Sequence, residues 1–285
     1  MNYEKYQNTI EKLEKINKYK MSISVNEVSN AYRKALSEVE DKIKRYLSKQ
    51  SLTSNDIFVI DSLNKLKNDI TSIIAELNNE VNTITKDNII STYIYNFNTN
   101  LNAIKKYIID FTFTRTIDEK SVLDIMTRQY NFKTINTFNN AELMSKIKTE
   151  LSNAVIVGKS INDTSNSIKQ VFNISKNKAV RIARTELHRS ANVSRLESFN
   201  TVSDVLEETK NENFKKLIAV KVWHSVNDSR TREDHAEMDN VEANENGIFV
   251  LPDGTECESP GTTGLPEHDI NCRCSFTIEF KEKEE

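Results

Sequence analysis

The chain has 285 residues, enough for one large domain or two ordinary ones with a true hydrophobic core. It is globular but polar, with 37% hydrophobic and 28% charged residues. No apolar run approaches about 18 residues, which excludes a membrane-spanning helix. The opening MNYEKYQNTI lacks the apolar stretch of a secretory signal, so synthesis in a cytoplasm is expected. Three cysteines, an odd number, argue against a disulfide framework.

The net charge of −3 conceals an asymmetry. Residues 1–200 carry 30 Lys+Arg against 22 Asp+Glu, whereas residues 201–285 carry 9 against 20. Long solvated helices rich in lysine explain this most simply. A first part that faces phosphate is the sharper alternative.

Residues 1–157 contain no Gly, Pro, Cys or His. Without residues that permit tight turns, long elements with few corners are expected. Val28, Tyr32, Ala35, Val39, Ile43 and Tyr46 recur at helical spacing, and so do Leu66, Ile70, Ile73, Leu77, Val81 and Ile84. Ile90, Ile94, Phe97, Leu101, Ile104 and Ile108 form a third stripe. Ser54-Asn55-Asp56 and Asn139-Asn140 are candidate N-caps, the latter for a helix reaching about Val157. This predicts a helical arm or bundle over 1–157.

The texture changes near Gly158, and a second domain is expected over 158–285. A helix pair over 162–205 is predicted, with a short helix from Asn162 to Phe172, a turn at Asn173-Ile174-Ser175, and a longer helix capped by Ser175. On the longer helix Ala179, Ala183, Leu187, Ser190 and Ser194 form a small-residue face suited to close packing. Arg181, Arg184, His188 and Arg195 fall opposite. With Lys169, Lys176, Lys178 and Arg189, these arginines form a candidate nucleic-acid-binding set. A docked helix whose solvated side is basic explains the same residues.

An α+β part follows over 215–280. Ile218 to Trp223 reads as a buried strand, Ser229 to Met238 as a short helix, and Ile248 to Leu251 as a strand stopped by Pro252-Asp253-Gly254. Phe276, Ile278 and Phe280 alternate with polar residues as a half-buried last strand. Trp223, Val222, Ile278 and Phe280 are the expected core of this part. The fold class is therefore α+β, a long helical region followed by a small mixed domain.

Three blocks stand out in order: Ala183-Arg184-Thr185-Glu186 with Arg195; Trp223-His224 continuing to Asp228, Arg230, Arg232, His235 and Asp239; and Pro260-Gly261 leading to Asn271-Cys272-Arg273-Cys274. The ordered set resembles the C-terminal domain of phage head morphogenesis proteins, the Mu-F-like minor head proteins, over roughly 160–280. Two turns depart from the family pattern, at Pro260-Gly261-Thr262-Thr263 and at Asp239-Asn240. The resemblance implies a minor head protein of a virion, made in the bacterial host cytoplasm and residing in the capsid interior. Portal protein and major capsid or scaffold protein are the implied partners. In some members packaged DNA is contacted.

Two chemistries compete with a scaffold. Cys257, Cys272 and Cys274 with His268 or His235 could complete a Cys₃His zinc shell, although Cys-x-Cys is tighter than the usual Cys-x-x-Cys spacing. Three reduced, partly buried thiols, and no cofactor, are the preferred expectation. Asp228, Arg230, Arg232 and His235 could act as a catalytic set on nucleic acid or nucleotide, with His235 as base and an arginine as anion clamp. The preferred reading makes Asp228 the cap of the following helix. It pairs Arg230 and Arg232 with carboxylates such as Glu186, and sets His235 against a loop carbonyl. No Gly-rich phosphate loop and no nucleophile motif is present. The expectation is a non-enzymatic head protein, with a nuclease, a nucleotide transferase or a non-specific DNA-binding protein as alternatives.

Overall fold

The computed structural model describes residues 1–47, 57–109, 111, 117–128, 131–157, 159–209, 214 and 216–283. Five helices come first: α1 (Tyr3–Leu47), α2 (Ile57–Tyr107), α3 (Glu119–Thr127), α4 (Phe132–Val157) and α5 (Ile161–Glu208). They are followed by β1 (Leu217–His224), α6 (Glu233–Glu237), β2 (Phe249–Val250), β3 (Glu256–Cys257), α7 (Pro266–Asp269) and β4 (Ser275–Glu282). The α+β class is thus realised, with long helices first and short strands last. The candidate cap Ser54-Asn55-Asp56 and the boundary residue Gly158 lie outside the described residues.

Two compact units form, and neither is a sequential half. One comprises Met1–Ser22, Asp87–Tyr130 and Arg184–Glu285, the other Ile23–Lys86 and Asn131–Ala183. The expected split into 1–157 and 158–285 is therefore not the division that the packing makes. Helices α1, α2 and α5 each contribute residues to both units.

The second unit is an all-helical core. The stripes Val28, Tyr32, Ala35, Val39, Ile43 and Leu66, Ile70, Ile73, Leu77, Val81 are buried together with Leu143, Ile147 and Leu151 of α4 and Ile168, Phe172, Ala179 and Ala183 of α5. Threaded through this apolar core is a polar cluster. The Tyr32 hydroxyl donates to Asn140 Oδ1 at 3.0 Å and lies 3.2 Å from Ser175 Oγ. Asn139 Nδ2 donates to the Ser175 carbonyl at 2.9 Å, and Asn140 Nδ2 to Asn78 Oδ1 at 3.0 Å.

This cluster corrects two predicted boundaries. Asn139 and Asn140 lie inside α4 and do not start it, because their amides find partners on neighbouring helices. Asn131 Oδ1 accepts from the Thr134 N–H at 3.3 Å at the true start. Ser175 lies inside one continuous α5 and is buried against Tyr32, so the predicted turn at 173–175 does not form. The real α5 cap is Ser160, whose Oγ accepts from the Asp163 N–H at 3.1 Å while its hydroxyl donates to the Asp163 carboxylate at 2.7 Å.

In the other unit, β1 and β4 pair antiparallel with Trp223 opposite Phe276 and Lys221 opposite Ile278. The other edge of β1 is engaged by 240–243, through Trp223 N to Val241 O and Asn240 N to Trp223 O, both 2.8 Å. β2 and β3 form a separate two-stranded ribbon. Trp223, Val222, Ile278 and Phe280 are all buried, as their density of apolar positions predicted. Trp223 meets Phe249 edge-on at 5.2 Å between ring centroids. Tyr6 of α1 packs edge-on to Phe280 at 6.5 Å, so the start of the chain belongs to this core.

Candidate functional site

The small-residue face of α5 is buried in full: Ala179, Ala183, Leu187, Ser190 and Ser194 all pack inward. Small side chains let the backbone approach closely enough for Ser190 Oγ to donate to the Ile89 carbonyl at 3.0 Å. Within the same unit, α5 also grips the C-terminal loops. Asn192 Nδ2 donates to the carbonyls of Pro260 and Cys274, both at 2.9 Å. His188 Nε2 donates to the Cys274 carbonyl at 2.8 Å, and burial lowers its pKa. Thr185 Oγ1 accepts from the Asn271 N–H at 3.2 Å. Asn192 was missed by sequence reasoning, since a lone Asn inside a helix carries no pattern.

Two arginines from the candidate DNA set are buried here. Arg189 pairs with Glu186 at 2.6 Å, and the Glu186 carboxyl is raised by burial, which Arg189 partly offsets. Arg195 is 1% exposed, donates to the Phe276 carbonyl at 2.7 Å and pairs with Glu14. Neither side chain faces solvent. The expected basic stripe therefore splits: Arg181 and Arg184 are exposed, whereas His188 holds the Cys274 carbonyl and Arg195 the Phe276 carbonyl. Lys169 is exposed, Lys176 is half-buried, and Lys178 pairs with Glu142 at 2.5 Å.

The Asn-Cys-Arg-Cys block turns the chain into β4. Asn271 has φ of 58°, a left-handed position that Asn tolerates better than most residues. Cys272 and Cys274 then flank Arg273, and both thiols are buried. They converge on one nitrogen of His235: Cys274 Sγ lies 3.5 Å and Cys272 Sγ 3.7 Å from Nδ1. Cys272 is held protonated by its hydrogen bond to Cys274 and by burial. Cys274 is lowered by the same hydrogen bond, against burial, with His235 assisting.

The His235 ring is fixed by packing. Trp223 meets it edge-on at 5.6 Å, and His268 stacks on it at 5.7 Å with the planes 12° apart. His268 in turn lies 3.0 Å from both Asp234 and Asp253. The predicted contact of His235 to a loop carbonyl is thus replaced by two sulfurs. Cys257 and His268, named with the thiols as metal donors, are not in the cluster that places the other two cysteines on one imidazole. Cys257 sits on β3 opposite Phe249, where burial pushes its thiol up to about 12.

Asp228 does not cap α6. Arg232 occupies that position, and the Asp228 carboxylate instead closes its own turn by accepting from the Arg230 N–H at 3.0 Å. Arg273 grips the same carboxylate through both terminal nitrogens, one at 2.6 Å. The Asp228 carboxyl is held far below the usual range, first by Arg273 and then by the Arg230 amide. Arg230 lies 3.7 Å from Asp228 and is exposed; Arg232 donates to the Ile270 carbonyl at 2.6 Å. Neither reaches Glu186. Arg230, Arg232, His235, Asn271, Arg273 and Cys274 surround a cavity of about 10 Å³, which is room for roughly one water and not for a phosphate.

A further buried cation was not foreseen. Lys221 is 2% exposed, its ammonium donates to the Glu258 carbonyl at 2.5 Å, and it lies 5.1 to 5.8 Å from the rings of Phe199, Phe249 and Phe276. Burial lowers it to about 8. Lys221 stands within the apolar run Ile218 to Trp223, and a lone lysine in such a run carries no pattern that says its ammonium is buried.

These contacts define a class: a helical scaffold clasping a small α+β module through buried Arg, Asn and His side chains. The particular family follows from comparison. Residues 145–277 match the family described as Phage Mu protein F like protein, in agreement with the ordered motif. The chain is 26% identical over 135 residues to "Minor head protein GP7" of Bacillus phage SPP1, covering 47% of this chain and 40% of that protein. It is 23% identical over 288 residues to "NAD(+)--arginine ADP-ribosyltransferase EFV" of Enterococcus faecalis (strain ATCC 700802 / V583), covering 96% of this chain and 54% of that protein. The chain thus spans about half the length, or less, of the curated relatives it matches. No solved structure matches significantly. No helix among the described residues is long and apolar enough to cross a membrane.

Proposed function

We propose that the chain is a phage minor head protein acting in head morphogenesis, located in the virion interior and bound to portal or capsid protein. The match of 145–277 to the Mu F-like family carries this reading. The geometry supports it. The motif residues Glu186, Arg195, Trp223, Asp228 and Arg273 are spent on internal contacts that fix one rigid module. Packaged DNA is a further partner through the exposed Lys169, Arg181 and Arg184 of α5. The test is protein mass spectrometry of gradient-purified particles of the phage or prophage that encodes the chain. It should be present in few copies per particle and co-purify with portal protein. Its absence from full heads would defeat the reading.

The relative named as an ADP-ribosyltransferase motivates a second reading, in which the chain acts on a nucleotide. That relative is nearly twice as long, and the Asp228–His235 block here surrounds only a water-sized cavity. The structural reading is therefore preferred. Incubation with labelled NAD and arginine-containing protein should leave both unmodified; turnover abolished by His235→Ala in a folded variant would reverse the choice.

A further inference from the structure

The cluster at His235 gathers the donor types of a soft metal site in one buried place. Three soft or borderline donors, two thiols and an imidazole nitrogen, converge in a buried place, and their ligand atoms all lie within 4.8 Å of one another. A tetrahedral ion with sulfur at about 2.3 Å and nitrogen at about 2.0–2.1 Å sets its sulfur-to-nitrogen edges at roughly 3.6 Å. The two observed edges are 3.5 and 3.7 Å. The left-handed Asn271 turn and the clasp of Cys274 by His188 and Asn192 hold both sulfurs in place, while Trp223 and His268 hold the ring. A site so prearranged loses little freedom on binding.

We propose that His235 Nδ1, Cys272 Sγ and Cys274 Sγ bind one zinc-class divalent ion. The donor set is two cysteines and one histidine, in place of the three-cysteine set that the sequence suggested. The water-sized cavity against His235 and Cys274 supplies the fourth position, with Arg230, Arg232 and Arg273 around it. Water, or a small anion favoured by those guanidiniums, completes the shell. Binding displaces whatever proton the thiol pair still holds into solvent and leaves a neutral centre of two thiolates and a dication. The ion then ties the last loop to α6, and its role is to lock the module closed.

The full chain, purified under reducing conditions from zinc-supplemented medium and dialysed, should retain one zinc per chain by elemental mass spectrometry. Cys272→Ser, Cys274→Ser and His235→Ala should each bring retained zinc to background, while Cys257→Ser keeps it. Cobalt(II) added to metal-free wild type should give tetrahedral d–d bands and sulfur-to-cobalt charge transfer, a readout that needs no variant to fold. A wild type that retains no zinc, a six-coordinate cobalt spectrum without thiolate bands, or zinc unmoved by Cys272→Ser would each overturn the site. So would a 272–274 disulfide in the freshly purified protein.

Discussion

Arg273 holds Asp228 with both ends of its guanidinium, and this clasp, across 45 residues of chain, fastens the Asn-Cys-Arg-Cys turn to the loop after β1. A planar fork on a planar carboxylate fixes orientation as well as distance. The Asp228 carboxyl is depressed in the folded state, so its contribution is present above the ordinary carboxylate range and is lost as pH falls through the folded value. The stability difference between wild type and Asp228→Asn should therefore be visible at neutral pH and shrink as pH drops below about 4. Urea melts across that range check it, and in a double-mutant cycle Arg273→Gln should add almost nothing to Asp228→Asn. Because the pair is solvent-facing, the effect is small.

Arg195 is the opposite case. Its guanidinium is buried between Glu14 and the Phe276 carbonyl, so truncation leaves partners behind without solvent to replace it. Breaking a buried pair costs about 3–5 kcal/mol. A third of the Glu14 side chain remains exposed, which places Arg195→Ala near about 3 kcal/mol, at the lower end of that range. Burial would raise the Glu14 carboxyl, but Arg195 holds it below its usual value. That contribution is fully present above the usual carboxylate range and fades on acidification. Equilibrium urea unfolding should show the loss at pH 7, and Arg195→Ala should not be used to probe DNA binding.

Lys221 gives a pH dependence of the same sign in an alkaline window, but here the charged form is the one that burial destabilises. Burial lowers its folded value to about 8, so between that pH and the unfolded value the unfolded chain binds more protons and stability rises with pH. Cys257, its neighbour, is raised by burial and pulls the other way above about 9. Glu258 sits beside the ammonium and supports its charge. Comparison with Lys221→Met isolates the lysine. The advantage of Lys221→Met over wild type should be largest near pH 7 and shrink towards pH 10. A constant difference across that range would show that the aromatic rings and the Glu258 carbonyl compensate burial in full.

The exposed cations of α5 give a graded salt test. Replacing Lys169, Arg181 and Arg184 together should reduce the log–log salt slope of duplex binding by up to about 0.9 for each phosphate they neutralise. Fluorescence anisotropy at several salt concentrations measures it. Binding absent at low salt, or a slope unmoved by the triple change, removes DNA from the partners.

How far the sequence went can be seen residue by residue. The stripes Val28 to Ile43 and Leu66 to Val81 were legible because a helix repeats its buried face every three or four residues. The β4 alternation was legible because successive side chains of a strand point to opposite faces, and Trp223 because it closes an apolar run. Ser175 and Asn139 were misread as caps: their types favour caps, and only the Tyr32 hydroxyl, more than 100 residues away, shows why they lie mid-helix. The convergence of His235 with two cysteines rests on approaches between residues 37 and 39 apart, across a left-handed turn that spacing does not encode.

The least legible feature is the interleaving of the two units, and it yields the last prediction. Helices of 45, 51 and 48 residues pass residues into both units without a glycine or proline to mark the change. Tyr6 covers Phe280, Glu14 neutralises Arg195, and the Ile89 carbonyl receives Ser190. A fragment beginning at 158 lacks all three partners. It would expose Phe280 and leave Arg195 a buried cation held by one carbonyl, losses of several kcal/mol against a total of about 5–15. The fragment 158–285 should therefore fail to fold cooperatively by itself and refold only when residues 1–130 are supplied. Circular dichroism melts of the separate and mixed fragments check this. A sharp transition from 158–285 alone would show that the α+β module stands without the start of α1.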